Sequence, residues 1–554
     1  MAGAPSRGAA RGKTVFETVA LHAAARPQAP ALSGLAVFGQ RMRWTYAELK
    51  DAGERLASGL IAQGAWPNGN CAGETFAIVS DNHPATPLAW LAGARCGAIP
   101  SIVNSLLRER ELSWILCNLR ARLVIADAAH LELTRAALAS AGIHVPLVLN
   151  DLRPGAGQDF SPALPSIGDL LQSAPYAGPL PRPDDVFEVT YTSGTTSNPK
   201  GVVLTHEAVL FRADQQQALY SLTQADASMV ATPIFHQSGS RDTVLLMWRC
   251  GGHVTVAPKF SASGYWKQAI ESGATYVCLV ETMFLLLERQ EPSADERAHG
   301  IRRAMGGAPP GLQERMEARF GLRLIGGYGM TECGFPVARR PDMTSEELRR
   351  YREWAPQAVF AGWPVGENEA RVVDEHGNDV AEGEQGEIWI RSRGLLREYL
   401  RNPEATASAL VDGWLRTGDY GLRGPGGSLY FVDRLKDMMR RGGENIASKE
   451  VEAVLLGHPK TLNAVVYPVP DPLYMQEVKA IVVPKPGVAP TAEEYWTYCD
   501  QHLARYKVPR YIEFRDALPL GGSGRVQKQA LRAEPIAGQG KTHDRVAGKI
   551  VEAA

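Results

Sequence analysis

The sequence predicts an α/β protein: a large N-terminal domain with two parallel-sheet α/β subdomains and a small β-barrel, then a smaller α+β C-terminal domain. Helical and strand-like runs alternate from about residue 14 to residue 334, as in a parallel sheet covered by helices. Short strands between glycine turns fill about residues 359–432, which is typical of a small barrel or meander. We therefore place the domains at 14–435 and 436–554, after a flexible tail at 1–13.

The first part of the chain contains individual segments with clear periodicity. The segment "TYAELKDAGERLASGLIAQGA" places apolar residues at helical spacing, whereas "TFAIVS" and "RLVIAD" are typical of buried parallel strands. The segment "TRAALASAGIHVPLVLN" reads as helix, turn and strand. Together these segments predict consecutive βαβ units.

Later segments continue the same organisation after a proline-rich connector at 175–185. There "VFEVTYTSG" predicts a strand and "HEAVLFRADQQQALY" a helix. The barrel region contains "EARVVDEHGNDV", "GEQGEIWIR" and "GGSLYFV". The last domain contains the helices "SKEVEAVLLGH" and "EEYWTYCDQHLARY" and the strands "NAVVYPVP" and "VKAIVVP".

Composition argues against several classes of protein. The 554 residues carry a net charge of -1, so no overall field attracts nucleic acid or an anionic membrane. The seven cysteines include no CxxC pair, which argues against a disulfide framework or a zinc site and favours a reducing cytoplasm. No run reaches the roughly 18 apolar residues that a membrane span needs, and no apolar signal region follows the N-terminus. We expect a cytoplasmic protein without an integral membrane segment.

The stretch "YTSGTTSNPKG" concentrates small polar groups around one cation, Lys200. A strand that enters a turn rich in glycine and hydroxyl groups exposes backbone N–H groups, and a lysine adds a point charge, so the stretch suits a polyphosphate. It is not a Walker A loop, because G-x-x-x-x-G-K-[ST] is absent. The stretch alone leaves a solvent-exposed polar loop as the alternative.

Seven motifs in order resemble those of the adenylate-forming superfamily, which contains acyl-CoA synthetases, adenylation domains of peptide synthetases and beetle luciferases. The resemblance covers nearly the whole chain and is most similar to acyl-CoA synthetases of the carnitine/crotonobetaine-CoA-ligase type. The motifs are "YTSGTTSNPKGVVLTH", "PIFHQSG", "GGAPP", "YGMTE", "RTGD", "DRLKDMMRRGGENI" and "GSGRVQK".

The resemblance implies a two-step reaction with ATP, Mg²⁺ and coenzyme A as cofactors. A carboxylate attacks the α-phosphate of ATP and forms an acyl-adenylate and pyrophosphate; the thiol of CoA then displaces AMP. The partners implied are a small-molecule carboxylic acid, ATP and CoA, without nucleic acid.

The resemblance also assigns the nucleotide site. Thr331 would contact the α-phosphate and Glu332 would help to hold Mg²⁺. Met330 and Gly329 belong to the same motif, in which Tyr328 would stack on adenine. The β- and γ-phosphates would be held by Thr192, Ser193, Gly194, Thr195, Thr196 and Lys200, the adenine flanked by Gly307, Ala308 and Pro309, and the ribose bound by Asp419 and Arg434.

Several residues would form the acyl pocket. His236 would lie near the substrate carboxylate, although a buried structural histidine is the alternative. Gly329 replaces the tryptophan of acetate-specific relatives, which implies a longer acyl tunnel. Arg241 would pair with a second substrate carboxylate or form a structural ion pair with Asp242 or another acid. The other pocket candidates are Ser240, Gly306 and Cys333, of which Cys333 is alternatively a core thiol, and the aromatic residues Trp248, Tyr265, Trp266 and Phe284 for a quaternary ammonium.

The C-terminal motifs imply a mobile domain. Lys436 falls at the hinge, and Gly442 with Gly443 would border the pantetheine of CoA. The usual catalytic lysine is replaced here by Arg525, which keeps the charge but is larger and planar. We expect Arg525 to bridge the carboxylate and the α-phosphate, with Lys528 as the second candidate.

Two other functions stay open at this level. One is a stand-alone adenylation enzyme that loads a carrier protein in trans, because the chain has no appended carrier domain. The other is a luciferase-type oxygenase or a catalytically inactive binding protein. A carrier protein and a homodimer are the partners left open, and the identity of the acid is not readable.

Overall fold

A computed structural model gives the fold of the chain. It describes residues 12–36, 42–192, 198–307, 311–356, 358–434, 439–441, 444–471, 474–503, 505–520 and 526–551. Within these ranges, no helix is both long and apolar enough to cross a bilayer.

The N-terminal region alternates helices and strands, as predicted. Its helices are α1 (Val15–Ala25), α2 (Tyr46–Gln63), α3 (Ala85–Cys96), α4 (Glu109–Leu119), α5 (Leu131–Ala141), α6 (Ile167–Leu170), α7 (His206–Tyr220), α8 (Gln237–Gly239), α9 (Leu246–Cys250), α10 (Tyr265–Ser272), α11 (Glu281–Glu288), α12 (Asp295–Ala298) and α13 (Leu312–Phe320). A π-helical segment, Ser240–Leu245, joins α8 to α9. Its strands are β1 (Pro30–Gly34), β2 (Arg43–Thr45), β3 (Thr75–Val79), β4 (Ile99–Val103), β5 (Val124–Ala126), β6 (Leu147–Leu149), β7 (Val186–Thr192), β8 (Lys200–Thr205), β9 (Ala227–Val230), β10 (His253–Val256), β11 (Tyr276–Cys278), β12 (Arg303–Met305) and β13 (Arg323–Ile325).

Two parallel sheets form this region, which matches the predicted pair of α/β subdomains. One sheet has the order β13-β12-β11-β9-β10-β1-β2, parallel except for the edge pair β1–β2. The other has the order β4-β3-β5-β6 and is parallel throughout. Helix α3 is buried along its whole length, as expected of a helix that is apolar on all sides.

Local sequence accounts for the start of several helices. Thr45 accepts a hydrogen bond from the Glu48 backbone N–H, and the Glu48 carboxylate accepts one from the Thr45 backbone N–H. Thr491 and Glu494 form the same reciprocal pair at the last long helix. Such capping boxes satisfy N–H groups that the first helical turn leaves without partners.

A curled antiparallel sheet follows the two parallel sheets. Its order is β14-β15-β16-β22-β21-β18-β17, and β20 pairs with β21. It includes β14 and β15, which precede the start predicted for the barrel at residue 359. The elements of this part are β14 (Gly327–Met330), β15 (Gly334–Ala338), α14 (Ser345–Trp354), β16 (Val359–Pro364), β17 (Glu369–Val373), β18 (Gln385–Arg391), β19 (Glu398–Tyr399), α15 (Pro403–Ala409), β20 (Leu410–Val411), β21 (Trp414–Arg423) and β22 (Leu429–Arg434).

The predicted phosphate loop joins two antiparallel strands, β7 and β8, and β19 pairs with the far edge of β8. The sequence predicted that the loop runs from a strand directly into a helix, so the structure corrects this detail. The run "KGVVLT" forms β8, with Val202, Val203 and Leu204 at most 2% exposed. β-branched residues suit such a buried strand. Helix α7 begins only after β8.

The C-terminal part is a five-stranded sheet, β25-β26-β27-β28-β29, with a separate hairpin, β23–β24. A buried ion pair, Lys479 with Glu513 at 2.7 Å, lies on its neighbouring strands β26 and β27. The elements are β23 (Met439–Arg441), β24 (Glu444–Ile446), α16 (Ser448–Gly457), β25 (Thr461–Asp471), β26 (Met475–Pro484), α17 (Ala492–His502), β27 (Tyr511–Phe514), α18 (Lys528–Arg532), β28 (Lys541–Asp544) and β29 (Lys549–Val551).

Candidate active site

Tyr328 and Asp419 meet although three strands separate β14 from β21 in the sheet. The Tyr328 hydroxyl donates to Asp419 Oδ2 at 2.7 Å. Four strand spacings span about 19 Å in a flat sheet, so the sheet curls to bring these side chains together. The Tyr328 ring also stacks on Phe431 of β22, with ring centroids 5.9 Å apart.

Asp419 is fixed and nearly buried. It is 5% exposed, and its backbone N–H donates to Thr417 Oγ1 at 3.1 Å. Arg434, predicted to share the ribose, lies opposite Asp419 in the β21–β22 ladder, and its side chain lies outside the described residues. Burial and the neighbouring Asp419 carboxylate raise the pKa of the Tyr328 phenol well above its ordinary value, so it remains a donor.

Glu332 and Lys200 meet at Tyr399, a residue that the sequence analysis did not single out. The Tyr399 hydroxyl donates to Glu332 Oε1 at 2.8 Å. The Lys200 ammonium lies 5.0 Å from the centre of the Tyr399 ring, within the range of a cation–π contact. Glu332 is 6% exposed, so one aromatic side chain holds both the predicted metal ligand and the predicted phosphate lysine.

The Tyr328–Asp419 pair and the Glu332–Tyr399–Lys200 group both lie near Cys333. Cys333 is 2% exposed, and burial raises the pKa of its thiol to about 12. Arg212, Glu332 and Asp419 all act electrostatically on this thiol. Cys333 also lines a small cavity with Arg212, Gln215 and Phe335, so it is both a core thiol and a cavity residue.

Comparison with known proteins decides the family. The family model described as AMP-binding enzyme matches residues 19–400, and the model of the AMP-binding enzyme C-terminal domain matches residues 450–525. The chain belongs to the AMP-binding enzyme family. The predictions of fold class, family and an AMP-forming acid–thiol ligase are thereby confirmed.

Individual relatives agree with this membership. The crotonobetaine/carnitine–CoA ligase of Citrobacter koseri is 33% identical over 503 residues, which cover 88% of this chain and 93% of the relative. The structure of the Bacillus subtilis O-succinylbenzoate coenzyme A synthetase in complex with AMP is similar, with a TM-score of 0.77, 26% identity and coverage of 93% and 98%. A benzoate CoA ligase from Burkholderia xenovorans has a TM-score of 0.80, 25% identity and coverage of 94% and 99%.

Other nucleotide-site residues of this AMP-binding enzyme have defined places. Thr192 pairs with Lys200 across the β7–β8 ladder, and its hydroxyl donates to the Lys200 carbonyl at 3.4 Å. A Cβ atom on Gly307 would meet no atom of the described residues within 4 Å. Met330, the last residue of β14, and Thr331, in the turn before β15, are half-buried.

Ten predicted residues lie outside the described residues, and their roles stay predictions. They are Ser193, Gly194, Thr195, Thr196, Ala308, Pro309, Lys436, Gly442, Gly443 and Arg525.

The pocket residues after the "PIFH" motif are mostly buried. His236 is half-buried against Phe235, and Ser240 donates from Oγ to the His236 carbonyl at 3.1 Å. Gly306 has a φ of +152°, and a Cβ atom there would lie 2.3 Å from the Leu279 carbonyl oxygen. Glycine is therefore required at 306 by backbone conformation and by close packing.

Gly329 does not open a tunnel in the way that the sequence suggested. A Cβ atom at this position would lie 2.0 Å from the carbonyl oxygen of Gly334, on the facing strand of the β14–β15 hairpin. The missing side chain is explained by the close approach of the two backbones. The inference of a longer acyl tunnel from Gly329 is therefore not supported.

Arg241 forms a buried ion pair, but with Glu188 rather than with Asp242. Its Nη1 lies 2.5 Å from Glu188 Oε1 and donates to Thr190 Oγ1 at 2.8 Å. Trp90 Nε1 donates to the other Glu188 oxygen at 3.0 Å. The guanidinium is thus already occupied, which favours the structural alternative over recognition of a second substrate carboxylate.

The aromatic candidates do not surround one space. Trp248 packs on Trp90, with centroids 6.3 Å apart, and Trp266 packs on Phe320 at 4.5 Å. All four candidate aromatic side chains are buried, and Phe284 lies beside a predicted site residue, Gly306. The structure therefore provides no aromatic cage from these residues.

Lys528, the second candidate for the catalytic cation, is occupied elsewhere. Its ammonium lies 2.8 Å from Glu452 Oε1 and donates to Ser448 Oγ at 2.6 Å. Ser448 in turn donates to Asp433 Oδ2 of β22 at 2.7 Å. In this arrangement Lys528 ties α18 to α16, and Ser448 ties the C-terminal part to the end of the curled sheet.

Proposed function

We propose that this enzyme activates a carboxylic acid with ATP and transfers the acyl group to coenzyme A. A carboxylate oxygen bonds to the α-phosphorus and pyrophosphate leaves; the CoA sulfur then bonds to the acyl carbon and AMP leaves. Membership of the AMP-binding enzyme family and the CoA ligases among its relatives support this proposal.

One observation carries the proposal: the Tyr328–Asp419 pair and the Glu332–Tyr399–Lys200 group both border the Cys333 region. A fixed carboxylate such as Asp419 can accept both hydroxyls of a ribose. A lysine at the end of the polar loop can hold phosphates that leave as pyrophosphate. Glu332 and Asp419 both act electrostatically on Cys333, so the two groups lie near one another, as one bound nucleotide would require.

We also propose that Glu332 helps to hold Mg²⁺. Its Oε1 accepts from Tyr399, and a single carboxylate together with substrate phosphates is a common arrangement for this ion. Bound Mg²⁺ would neutralise charge on the phosphate oxygens. Tyr399 would keep the carboxylate in place, and Thr331 would contact the α-phosphate.

The catalytic cation is proposed to be Arg525. Lys528 is less suited to the role in this arrangement, because Glu452 and Ser448 hold its ammonium. A guanidinium can donate two hydrogen bonds at once, to the attacking carboxylate and to a phosphate oxygen. His236 is proposed to border the acyl carboxylate.

The second step would need a movement of the C-terminal domain about Lys436, with pantetheine passing Gly442 and Gly443. Such a movement would break the Ser448–Asp433 bond. We infer a cytoplasmic location because all seven cysteines are free thiols. The similarities reported above do not favour a carrier-protein acceptor or a homodimer, and neither is part of the proposal.

A carboxylate panel with ATP, Mg²⁺ and CoA tests the proposal. Trimethylammonium acids, aromatic acids and short aliphatic acids are compared by pyrophosphate release and by mass spectrometry of the thioester, with Asp419→Ala as the control variant. We expect acid-dependent pyrophosphate release by the wild type and an acyl-CoA product. No release with any acid, or a thioester formed only on a carrier protein, would contradict the proposal.

A further inference from the structure

Arg212 of α7 uses its guanidinium entirely on backbone carbonyl groups. The residue is 7% exposed. Its Nε donates to the Gly394 carbonyl at 2.6 Å, and Nη1 and Nη2 donate to the carbonyls of Thr331 and Glu332 at 3.0 and 2.9 Å. Three hydrogen bonds in one rigid plane fix the relative positions of three backbone groups.

Two of these carbonyls belong to the turn that carries the predicted α-phosphate and metal ligands. The Glu332 carbonyl accepts a second hydrogen bond, from the Leu396 backbone N–H at 2.7 Å. The side chain of Glu332 is held separately by Tyr399. Arg212 therefore fixes the backbone of the turn, whereas Tyr399 fixes the carboxylate.

Two glycines leave room for the Arg212 side chain. Gly334 has a φ of +73°, and a Cβ atom there would lie 2.7 Å from Arg212 Cδ. A Cβ atom on Gly394 would lie 2.9 Å from Arg212 Cγ. Either side chain would push the guanidinium stem out of its path, so the surrounding chain is shaped around this arginine.

The charge of Arg212 has no direct carboxylate partner. Within the described ranges, no carboxylate oxygen lies within 4.0 Å of its guanidinium. Burial and, to a smaller extent, the neighbouring Arg241 lower the pKa of Arg212 to about 10. The group stays charged near neutral pH although burial opposes the charge. A buried charge without an opposite charge reduces stability, so a contribution to stability does not explain why an arginine occupies position 212.

We propose that Arg212 is a positioning residue of the adenylation step, acting through the carbonyls of Thr331 and Glu332. The inference rests on the proposed function. Helix α7 follows directly on β8, so Arg212 links the chain segment that begins with Lys200 to the turn that carries the predicted α-phosphate and metal ligands. Displacement of reacting groups by about 1 Å can slow an enzyme about 100-fold.

ATP–pyrophosphate exchange measures the step directly. Arg212→Gln removes the charge and the forked donor. We expect kcat to fall about 100-fold. The Mg²⁺ concentration for half-maximal exchange should rise, and the KM of the acid should change less. Arg212→Lys, which keeps the charge, should recover part of kcat. The matched control is Arg249→Gln: this side chain is 7% exposed and pairs with Asp214, and its other hydrogen bonds go to Gly12 and Thr18 rather than to the turn, so we expect a lower Tm with little change in kcat.

A second variant keeps Arg212 but moves it. Gly394→Ala should also lower kcat. The double variant Arg212→Gln/Gly394→Ala should have a kcat only slightly below that of Arg212→Gln, because both changes act on one contact. Two results would overturn the inference. One is a folded Arg212→Gln variant whose exchange rate is within twofold of that of an active wild type; the other is an equal loss of exchange rate in the Arg249→Gln control. A wild type without exchange for any acid would overturn the proposed function as well.

Discussion

One hydrogen bond joins Tyr328 and Asp419, two residues predicted to bind the adenine and the ribose. The carboxylate is 5% exposed, and the phenol that donates to it comes from a distant strand of the same sheet. A hydrogen bond to a charged group contributes about 1.5–3 kcal/mol, more than a neutral one. The hydrogen bond therefore holds the Asp419 carboxylate in the orientation that its proposed role in ribose binding would use.

Tyr328→Phe tests this orientation. We expect the KM for ATP to rise about 10-fold or more, since the lost bond is charge-assisted, with a smaller effect on the KM for the acid. The measurement is steady-state pyrophosphate release. Tyr430→Phe is the control, because the Tyr430 hydroxyl of β22 donates to the Tyr351 carbonyl of helix α14. Equal effects of the two changes would show that the loss is structural.

The sequence motifs identified Asp419, Tyr328, Glu332 and Lys200, which the structure brings into one region. They did not identify Arg212 or Tyr399. Arg212 acts on carbonyls 119 to 182 residues away, and Tyr399 meets a carboxylate 67 residues away. Contacts of this kind leave no local pattern in the sequence, so only the fold could show them.

At the scale of elements, the Glu188–Arg241 pair joins β7 to the π-helical segment that follows His236. Both side chains are at most 5% exposed. β7 ends where the predicted phosphate loop begins, so the pair fixes β7 against the segment that carries predicted residues of the acyl pocket. Removing one partner of a buried pair typically costs 3–5 kcal/mol, since the other charge is left buried and unpaired.

Glu188→Gln should therefore lower stability by about 3 kcal/mol, measured as a lower Tm and urea midpoint. Glu132→Gln serves as the comparison, because the Glu132 side chain in the Arg135 pair is 83% exposed and such pairs contribute about 0–1 kcal/mol. Arg241→Met extends the test to the pocket. Loss of activity confined to acids with a second negative charge, at unchanged Tm, would instead support the predicted pocket role of Arg241.

Helix α18 carries Lys528, and its contacts separate the two candidates for the catalytic cation. Lys528→Ala leaves Glu452, which is 6% exposed, without this partner, so we expect a clear fall in Tm. Arg525→Ala should leave Tm closer to that of the wild type and reduce ATP–pyrophosphate exchange about 100-fold. Unchanged exchange in Arg525→Ala, or a greater loss of exchange in Lys528→Ala, would reverse the assignment.

Elements with strong periodicity were predicted closely, such as α7, which spans His206–Tyr220, and the adjacent strands β25 and β26. Strand β8 was missed because its four buried residues run into the following helix without a break in the sequence. Strands β14 and β15 are rich in glycine and lack alternation, so local propensity does not indicate them. Their pairing depends on neighbours that are distant in the chain.

For the molecule as a whole, buried histidines make stability depend on pH. Burial lowers the pKa of His206 to about 4, from 6.5, and His253 is shifted in the same way. The neutral His206 ring accepts a hydrogen bond from the Val15 backbone N–H, which connects α1 to α7. Because the unfolded chain binds the proton more tightly than the folded one, stability falls as pH drops from about 6.5 towards 4.

We expect His206 alone to account for a loss of about 2 kcal/mol of unfolding free energy between pH 7 and pH 5. The urea midpoint of unfolding should decrease over this range. His206→Asn keeps an acceptor but does not titrate, so its midpoint should vary less with pH. His376→Asn, at an exposed position, should follow the wild type. Parallel curves for wild type and His206→Asn would contradict this expectation.

Thr192 pairs with Lys200 across the β7–β8 ladder, so the position of the Lys200 ammonium depends on the number of residues between the two strands. Successive side chains of a strand point to opposite faces, so slipping β8 by one residue would turn Lys200 away from Tyr399. A single-residue deletion between 193 and 199 that shifts the ladder would thus remove the cation from its partner while every motif residue outside the deletion stays present. Engineering of this segment should preserve the Thr192–Lys200 register first and vary composition second.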